Sequence, residues 1–256
     1  MASTDVGSRE VTVTVLAAGS LRLALTRAAR DFELRHPGTR FALVFGAAGL
    51  LRERIASGEH ADVFASANLA HPAWLSRHRR FGPTTAFARN ALCALVRPGL
   101  AVTRETLVRT LLDPAITVGT STPGADPSGD YAFELFERLE RSGAAPVGSA
   151  ALLAAKARQL TGGPDAPKPP GGRNVYGVLV ASGEADVFLT YCTNARIALA
   201  EQPGLQAVEI DEHFNVSAAY GLAVCHGAPP MAQRFADDLC AGTGQAALRD
   251  AGFLPP

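Results

Sequence analysis

Four turns in this 256-residue chain place small, uncharged residues where helices are expected to begin: Ala18-Gly19-Ser20, Gly46-Ala47-Ala48-Gly49, Pro127-Ser128-Gly129 and Gly172-Arg173-Asn174-Val175. A helix N-terminus presents unpaired N–H groups and about half a positive charge. It therefore binds an anion without help from Lys or Arg. In α/β sheets the carboxyl ends of strands are also where ligands sit. Together, on two lobes facing a cleft, the four turns read as a cradle of neutral donors for a small oxyanion. The plainer reading of each turn is that it only starts a helix, with Ser20 as a simple N-cap.

Other residues compete for a chemical role. Asp126 and Asp130 flank Ser128. A carboxylate aimed inward would repel an oxyanion, so both are expected to face solvent or the helix N-terminus. With His213 they would instead outline a cation cleft. Asp62 is expected to bond to the Glu59-His60 turn rather than to a ligand. Trp74, with His71, Arg77, His78, Arg79 and Arg80, reads as a solvated helix face. Cys93, Cys192, Cys225 and Cys240 show no CxxC spacing and no zinc-like cluster. They read as buried thiols or a structural disulfide, and Cys93 with Cys225, both in apolar strand-like runs, is the first pair to test. Cys192 is the one obvious nucleophile, but no general base accompanies it at a recognisable spacing.

These residues need a scaffold, and the chain supplies alternating strands and helices. Val11–Leu16 is β-branched and reads as a strand. Leu21, Leu25, Ala28, Ala29 and Phe32 then recur at helical spacing until His36-Pro37-Gly38. Phe41–Phe45 and Asp62–Ala67 read as strands around a short helix, Leu50–Ser57, closed by Gly58. Downstream, Ala91–Val96, Ile116–Gly119, Asp186–Tyr191 and Ser217–Cys225 read as strands. Thr120–Gly129 reads as a loop. Tyr131–Arg141, Asn174–Ser182 and Pro230–Leu248 read as helical. The βαβ order predicts an α/β fold with helix-covered, mostly parallel sheets. Gly162–Gly172 reads as an exposed Pro/Gly-rich insertion.

Composition narrows the partners. The chain carries 24 Lys+Arg against 24 Asp+Glu, a net charge of zero, which argues against nucleic acid or an anionic membrane as the main partner. With 47% apolar and 19% charged residues, a sizeable core can form. No window approaches the roughly 20 apolar residues of a membrane-spanning helix. Met1–Glu10 has neither the basic start nor the apolar stretch of a secretory signal, so the chain reads either as cytoplasmic or as trimmed of a leader.

The segments Val15-Leu16-Ala17-Ala18-Gly19-Ser20-Leu21, Phe45-Gly46-Ala47-Ala48-Gly49 and Ala61-Asp62-Val63-Phe64-Ala65-Ser66-Ala67 resemble the molybdate-binding periplasmic proteins of ABC importers. So do Pro127-Ser128-Gly129-Asp130-Tyr131-Ala132 and Thr190-Tyr191 followed by Asn194-Ala195. The resemblance implies the two-lobed type II periplasmic-binding fold, with residues 1–86 and 216–256 in one lobe and 87–215 in the other. It implies a monomer in the periplasm that captures molybdate or tungstate and delivers it to an inner-membrane permease. No cofactor beyond the ligand is implied. Carried over by position, Ser20 would give a hydroxyl and its N–H, Ala48, Ser128 and Val175 backbone N–H groups, and Tyr191 a phenolic O–H. Closure would hinge near Phe87–Asn90 and Asn215–Ser217. The chain departs from the family at Ala47, Ala48 and Gly49, where serines are frequent, and at Cys192-Thr193 after the tyrosine.

A hydrogen bond to a charged group returns about 1.5–3 kcal/mol net. Five or six preset donors therefore suffice for micromolar to nanomolar binding, roughly 8–12 kcal/mol after ordering costs. A site made of donors alone also rejects a protonated anion such as hydrogen phosphate, whose proton would find no acceptor. Two other functions fit the residues less fully: binding of a different small anion, and an enzyme or cytoplasmic sensor using Cys192.

Overall fold

The protein is described here by a computed structural model covering residues 10–164, 166 and 172–256. Most of the Gly162–Gly172 insertion and the polar start of the chain lie outside the described residues. Strand β1 (Val11–Ala18) runs parallel to β2 (Thr39–Gly46) and β3 (Val63–Ser66), one on each side. The β1–β2 register ends on Ala18 opposite Gly46. The turns that follow, carrying Ser20 and Ala48, therefore emerge side by side at one edge of the sheet. The 3-10 turn Gly19–Leu21 leads into α1 (Arg22–Arg35), which buries Leu25, Ala28, Ala29 and Phe32 as the periodicity predicts. Helix α2 (Ala48–Ala56) follows β2, and α3 (Ala70–Arg77) follows β3.

Strand β4 (Thr85–Val96) is the longest, at 12 residues. Its first half, Thr85–Ala91, pairs antiparallel with β9 (Ser217–Val224), which in turn pairs antiparallel with β3. Its second half, Leu92–Val96, pairs antiparallel with β7 (Val187–Tyr191), while Cys93–Val96 also pairs with β8 (Gln206–Glu209). Beyond β7 lie β5 (Val118–Ser121) and β6 (Arg158–Thr161), both parallel. The order is β2-β1-β3-β9-β4-β7-β5-β6. The α/β expectation holds, with a mixed sheet in which the pairings of β4 and β9 are antiparallel. Phe87–Asn90, expected near an extended crossover, lies inside β4, with Phe87 and Asn90 buried.

Helices α9 (Pro230–Ala241) and α10 (Gly244–Asp250) pack with α1, and α2 with α3. On the far half of the sheet, α5 (Pro127–Arg141) packs with α6 (Ser149–Lys156), and α7 (Val175–Ala181) with α8 (Cys192–Glu201). Helix α4 (Leu107–Leu112) packs on α6. The core around α1 is built on edge-to-face rings: Phe32 meets Phe41 at 5.7 Å and Phe235 at 5.5 Å. Thr120–Gly129 is not all loop, because β5 extends to Ser121 and α5 starts at Pro127. His71 is not solvated. It is buried on the inner side of α3 with Pro72 and Leu75, and desolvation, then the nearby Arg52 charge, pushes its pKa down to about 4.

Candidate functional site

The turn after β2 and the segment after β5 meet across a close backbone contact. The Gly49 N–H, in the first turn of α2, donates to the Ala125 carbonyl at 2.9 Å. A Cβ on Gly49 would stand 2.5 Å from the Gly124 carbonyl oxygen and 2.6 Å from that of Ala125. Only glycine allows this approach, so the frequent serine of the resembled family would not fit here. Ala48 begins α2 beside it, buried, and Ala47 supplies no side-chain cap.

Ser20 is buried in the 3-10 turn and does not cap the helix. Its Oγ lies 2.9 Å from the Tyr220 hydroxyl instead. That partner went unrecognised at the sequence level, where Tyr220 is one aromatic in an apolar strand. Asn90 joins the cluster, its Nδ2 donating to Thr193 Oγ1 at 2.8 Å and to the Tyr220 hydroxyl at 3.3 Å. A chain of polar groups thus runs from Ser20 after β1, through Tyr220 and Asn90, to Thr193 at the start of α8.

Tyr191 ends β7, buried, with its ring 5.6 Å from Tyr220 and 6.4 Å from Tyr131. Burial, then the neighbouring Tyr220, raises its pKa, so the phenol stays protonated. The Tyr220 hydroxyl lies nearby but outside hydrogen-bonding geometry, and the Tyr191 hydroxyl has no partner. Ser128 Oγ, in the first turn of α5, is also fully buried and unpartnered, as is Thr120 Oγ1 on β5. Buried hydroxyls normally find partners, and each orphan calls for an explanation. His71 Nε2 is a fourth such atom among the described residues.

Asp126 corrects the expectation of donors alone. It is the N-cap of α5, and its Oδ1 accepts from the Ser128 N–H at 3.1 Å, the group assigned by resemblance to a ligand. The carboxylate does sit on the helix N-terminus, as expected, but within electrostatic reach of Tyr176, Tyr191 and Tyr220. Asp130 faces the Gly124 N–H, accepting at 2.7 Å. A Cβ on Gly129 would meet the Ser121 carbonyl oxygen at 2.6 Å, so glycine lets α5 start hard against the end of β5.

Val175 begins α7, whose cap is Asn174: its Oδ1 accepts from the Gly177 N–H at 2.9 Å and its Nδ2 donates to the Asn194 carbonyl at 3.2 Å. Next to Val175, the Tyr176 ring packs on Phe188, and its hydroxyl lies among Ser121, Thr161 and Thr190. The contacts therefore join Ser20 to Tyr191 through Tyr220, Ala48 to the α5 turn through Gly49, and Val175 to the ends of β5, β6 and β7 through Tyr176.

The remaining candidates lie elsewhere or pair differently. All four cysteines are free; Cys93 faces Cys192, not Cys225. The antiparallel register Cys93 opposite Thr190 brings them together, whereas Cys225 lies beyond β9 beside Phe81. His213 pairs with Asp211 at 2.7 Å, exposed, and no group of three or more His, Cys, Asp or Glu able to hold a metal ion occurs among the described residues. Asp62 accepts from the Thr14 N–H at 2.7 Å and meets His60 at 3.2 Å. No described helix is long and apolar enough to cross a membrane.

The family described as bacterial extracellular solute-binding protein matches residues 13–254. The chain belongs to this family. An uncharacterised Pasteurella multocida protein is 36% identical over 94% of this chain and 98% of its own length. A Mycobacterium tuberculosis protein named as molybdate-binding is 25% identical, covering 95% of this chain and 85% of its own. The solved sulfate-binding protein of Mycobacterium tuberculosis superposes with a TM-score of 0.78 at 17% identity, over 96% of this chain and 87% of that one. The fold is the type II periplasmic-binding fold, and the resemblance to the molybdate-binding periplasmic proteins holds at family level. The family member described here is thus a bacterial extracellular solute-binding protein.

Proposed function

We propose that this solute-binding protein captures a tetrahedral oxyanion, molybdate or tungstate, between two lobes and hands it to an ABC permease of the inner membrane. The lobes are residues 1–86 with 216–256, and 87–215. The ligand set is Ser20, Ala48, Ser128, Val175 and Tyr191, and the protein works as a periplasmic monomer without a further cofactor. The observation that carries this reading is a pair of fully buried hydroxyls without partners: Tyr191 OH, beside the bonded Ser20–Tyr220–Asn90–Thr193 cluster, and Ser128 Oγ, in the first turn of α5. A buried donor without an acceptor costs about 1–3 kcal/mol. An anion arriving among such donors relieves that cost.

Closure follows from the same contacts. The Gly49–Ala125 hydrogen bond and the Asn90 bridge to Tyr220 join the two lobes that carry the proposed donors. A bound anion adds hydrogen bonds only when the lobes are together, so it biases the molecule towards that state. Isothermal titration with molybdate, tungstate and sulfate tests the reading. Micromolar or tighter binding of the two heavier anions is expected, and no heat with either rejects them as ligands. A second reading, sulfate or another small anion, is favoured by the small residues Ala47, Ala48 and Gly49 and by the likeness to a sulfate-binding structure. Tighter binding of sulfate in the same titration selects it.

A further inference from the structure

We propose that Tyr220 and Asn90 are positioning residues for the anion: a one-way hydrogen-bond relay, from Asn90 to Tyr220 to Ser20, sets the Ser20 hydroxyl as a donor to the bound oxygen. The inference rests on the oxyanion reading above and deepens it, since neither Tyr220 nor Asn90 belongs to the proposed ligand set. Its support is the direction in which each hydrogen must point. An amide nitrogen carries two hydrogens and accepts none. Asn90 Nδ2 spends both, on Thr193 Oγ1 at 2.8 Å and on the Tyr220 hydroxyl at 3.3 Å. Tyr220 therefore receives a hydrogen from Asn90 and cannot return its own there. Burial raises the Tyr220 pKa and keeps that hydrogen on the phenol. Ser20 Oγ, 2.9 Å away on the other side, accepts it. One lone pair of Ser20 is thus taken, and the serine's own hydrogen must leave in another direction.

Exposure shows which end of the relay meets a solute. Tyr220 is 0% exposed, Asn90 1% and Thr193 2%, whereas Ser20 keeps 8%. The relay is sealed at Thr193 and opens at Ser20, in the turn that follows β1 beside the turn after β2. Its parts are held by separate elements: Asn90 by β4, Tyr220 by β9 and Thr193 by α8. The Tyr220 ring is gripped by Phe87, Tyr191 and Phe253, at 6.4, 5.6 and 5.2 Å between centroids, which fixes where its oxygen stands. A hydroxyl that already accepts one hydrogen bond is polarised into a stronger donor. A solitary serine hydroxyl would swivel and either give or take a hydrogen. This one is set to give, which suits an oxyanion presenting a bare oxygen at that corner.

The test is isothermal titration of the wild-type protein, Tyr220→Phe, Ser20→Ala and the double variant with molybdate, tungstate and sulfate. Phenylalanine keeps the ring contacts and removes only the oxygen. For the anion that the wild type binds most tightly, Ser20→Ala should weaken binding at least about tenfold. Tyr220→Phe should weaken it about three- to tenfold, and should add no further loss to Ser20→Ala, because no hydroxyl is left to aim. An equal loss in both backgrounds would make Tyr220 a packing residue and overturn the relay. Unchanged binding by either single variant overturns it too. So does tighter binding by Tyr220→Phe, the mark of a Ser20 hydroxyl that had been donating to the tyrosine. If Tyr220→Phe folds poorly, Asn90→Ala in the same two backgrounds makes the same comparison: a loss seen only when Ser20 is present supports the relay, and any other pattern rejects it. Absence of wild-type heat with all three anions overturns the oxyanion reading itself, whereas wild-type binding with an additive cycle leaves that reading standing and removes the relay alone.

Discussion

Replacing Tyr191 with Phe separates a binding hydroxyl from a structural one. The ring is buried at the end of β7 and keeps its contacts with Tyr131 and Tyr220 in the variant, so packing is conserved. What disappears is one hydroxyl with no partner. An unsatisfied buried hydroxyl costs about 1–3 kcal/mol, so its removal should stabilise the ligand-free protein by roughly 1 kcal/mol. For a chain of this size that raises Tm by about 2–4 °C. Binding should move the opposite way. A hydrogen bond to an anion contributes about 1.5–3 kcal/mol, a rise in Kd of about 10–150-fold. Thermal unfolding without ligand and isothermal titration with molybdate read the two effects separately. A lower Tm with an unchanged Kd would refute the reasoning, because the hydroxyl would then be holding the fold and not a ligand.

Three further outcomes follow from the contacts. Gly49→Ala should weaken anion binding at least tenfold, since overpacking costs about 1–3 kcal/mol and the new methyl group meets two backbone carbonyls where the lobes approach. Small-angle scattering should show a larger radius with saturating ligand; a wild-type radius and Kd would show that this contact does not limit closure. Cys192 should be the first of the four thiols alkylated by iodoacetamide at neutral pH. The Cys93 hydrogen bond lowers its pKa against the opposing effect of burial, whereas Cys93, Cys225 and Cys240 are raised. Peptide mass spectrometry decides it, and faster labelling of Cys225 or Cys240 contradicts it.

Asp186 gives the acid-stability prediction. Desolvation pushes its pKa up, but the Thr117 N–H at 2.7 Å and the Arg97 guanidinium pull it further down, for a net lowering. A depressed carboxylate contributes stability above its unfolded pKa and loses it as the pH falls through the folded one. Asp186→Asn should therefore cost about 1–2 kcal/mol at pH 7 in urea unfolding, with the difference vanishing on acidification below about pH 4. A constant difference down to pH 2 would contradict this.

Much of the scaffold was legible because strand and helix periods were strong and the breaks between them were chemical. Val11–Ala18 and the α1 stripe follow from β-branched and apolar spacing, and Gly58 closes α2 at φ +110°. Strands β6 (RQLT) and β8 (QAVE) were not legible: each has four residues, neither alternates apolar with polar, and their pairing comes from neighbouring strands. The N-terminus of α5 was placed late although Asp126 followed by Pro127 is a cap with proline at the first helical position. His71 looked solvated because its neighbours Arg77 to Arg80 are charged, and only the packing of α3 on β3 and β9 reveals that it points inward. Of the candidate site, the turns were readable as turns. The role of Tyr220 was not, since an aromatic residue in an apolar strand has the same appearance whether it fills a core or holds a serine.

Strand β4 passes from one set of neighbours to the other between Ala91 and Leu92, and the Asn215 side chain ties the return segment to the same spot through the Leu92 carbonyl at 3.0 Å. A joint made of paired ribbon behaves unlike a slack tether. Rotation about it winds or unwinds backbone that neighbouring strands grip on both sides, so resistance grows with angle instead of arriving at a stop. If the proposed lobes part here, opening would store elastic work that recoil returns, and the stiffness of two adjoining peptide units, rather than the reach of a loop, would set how far the jaws part.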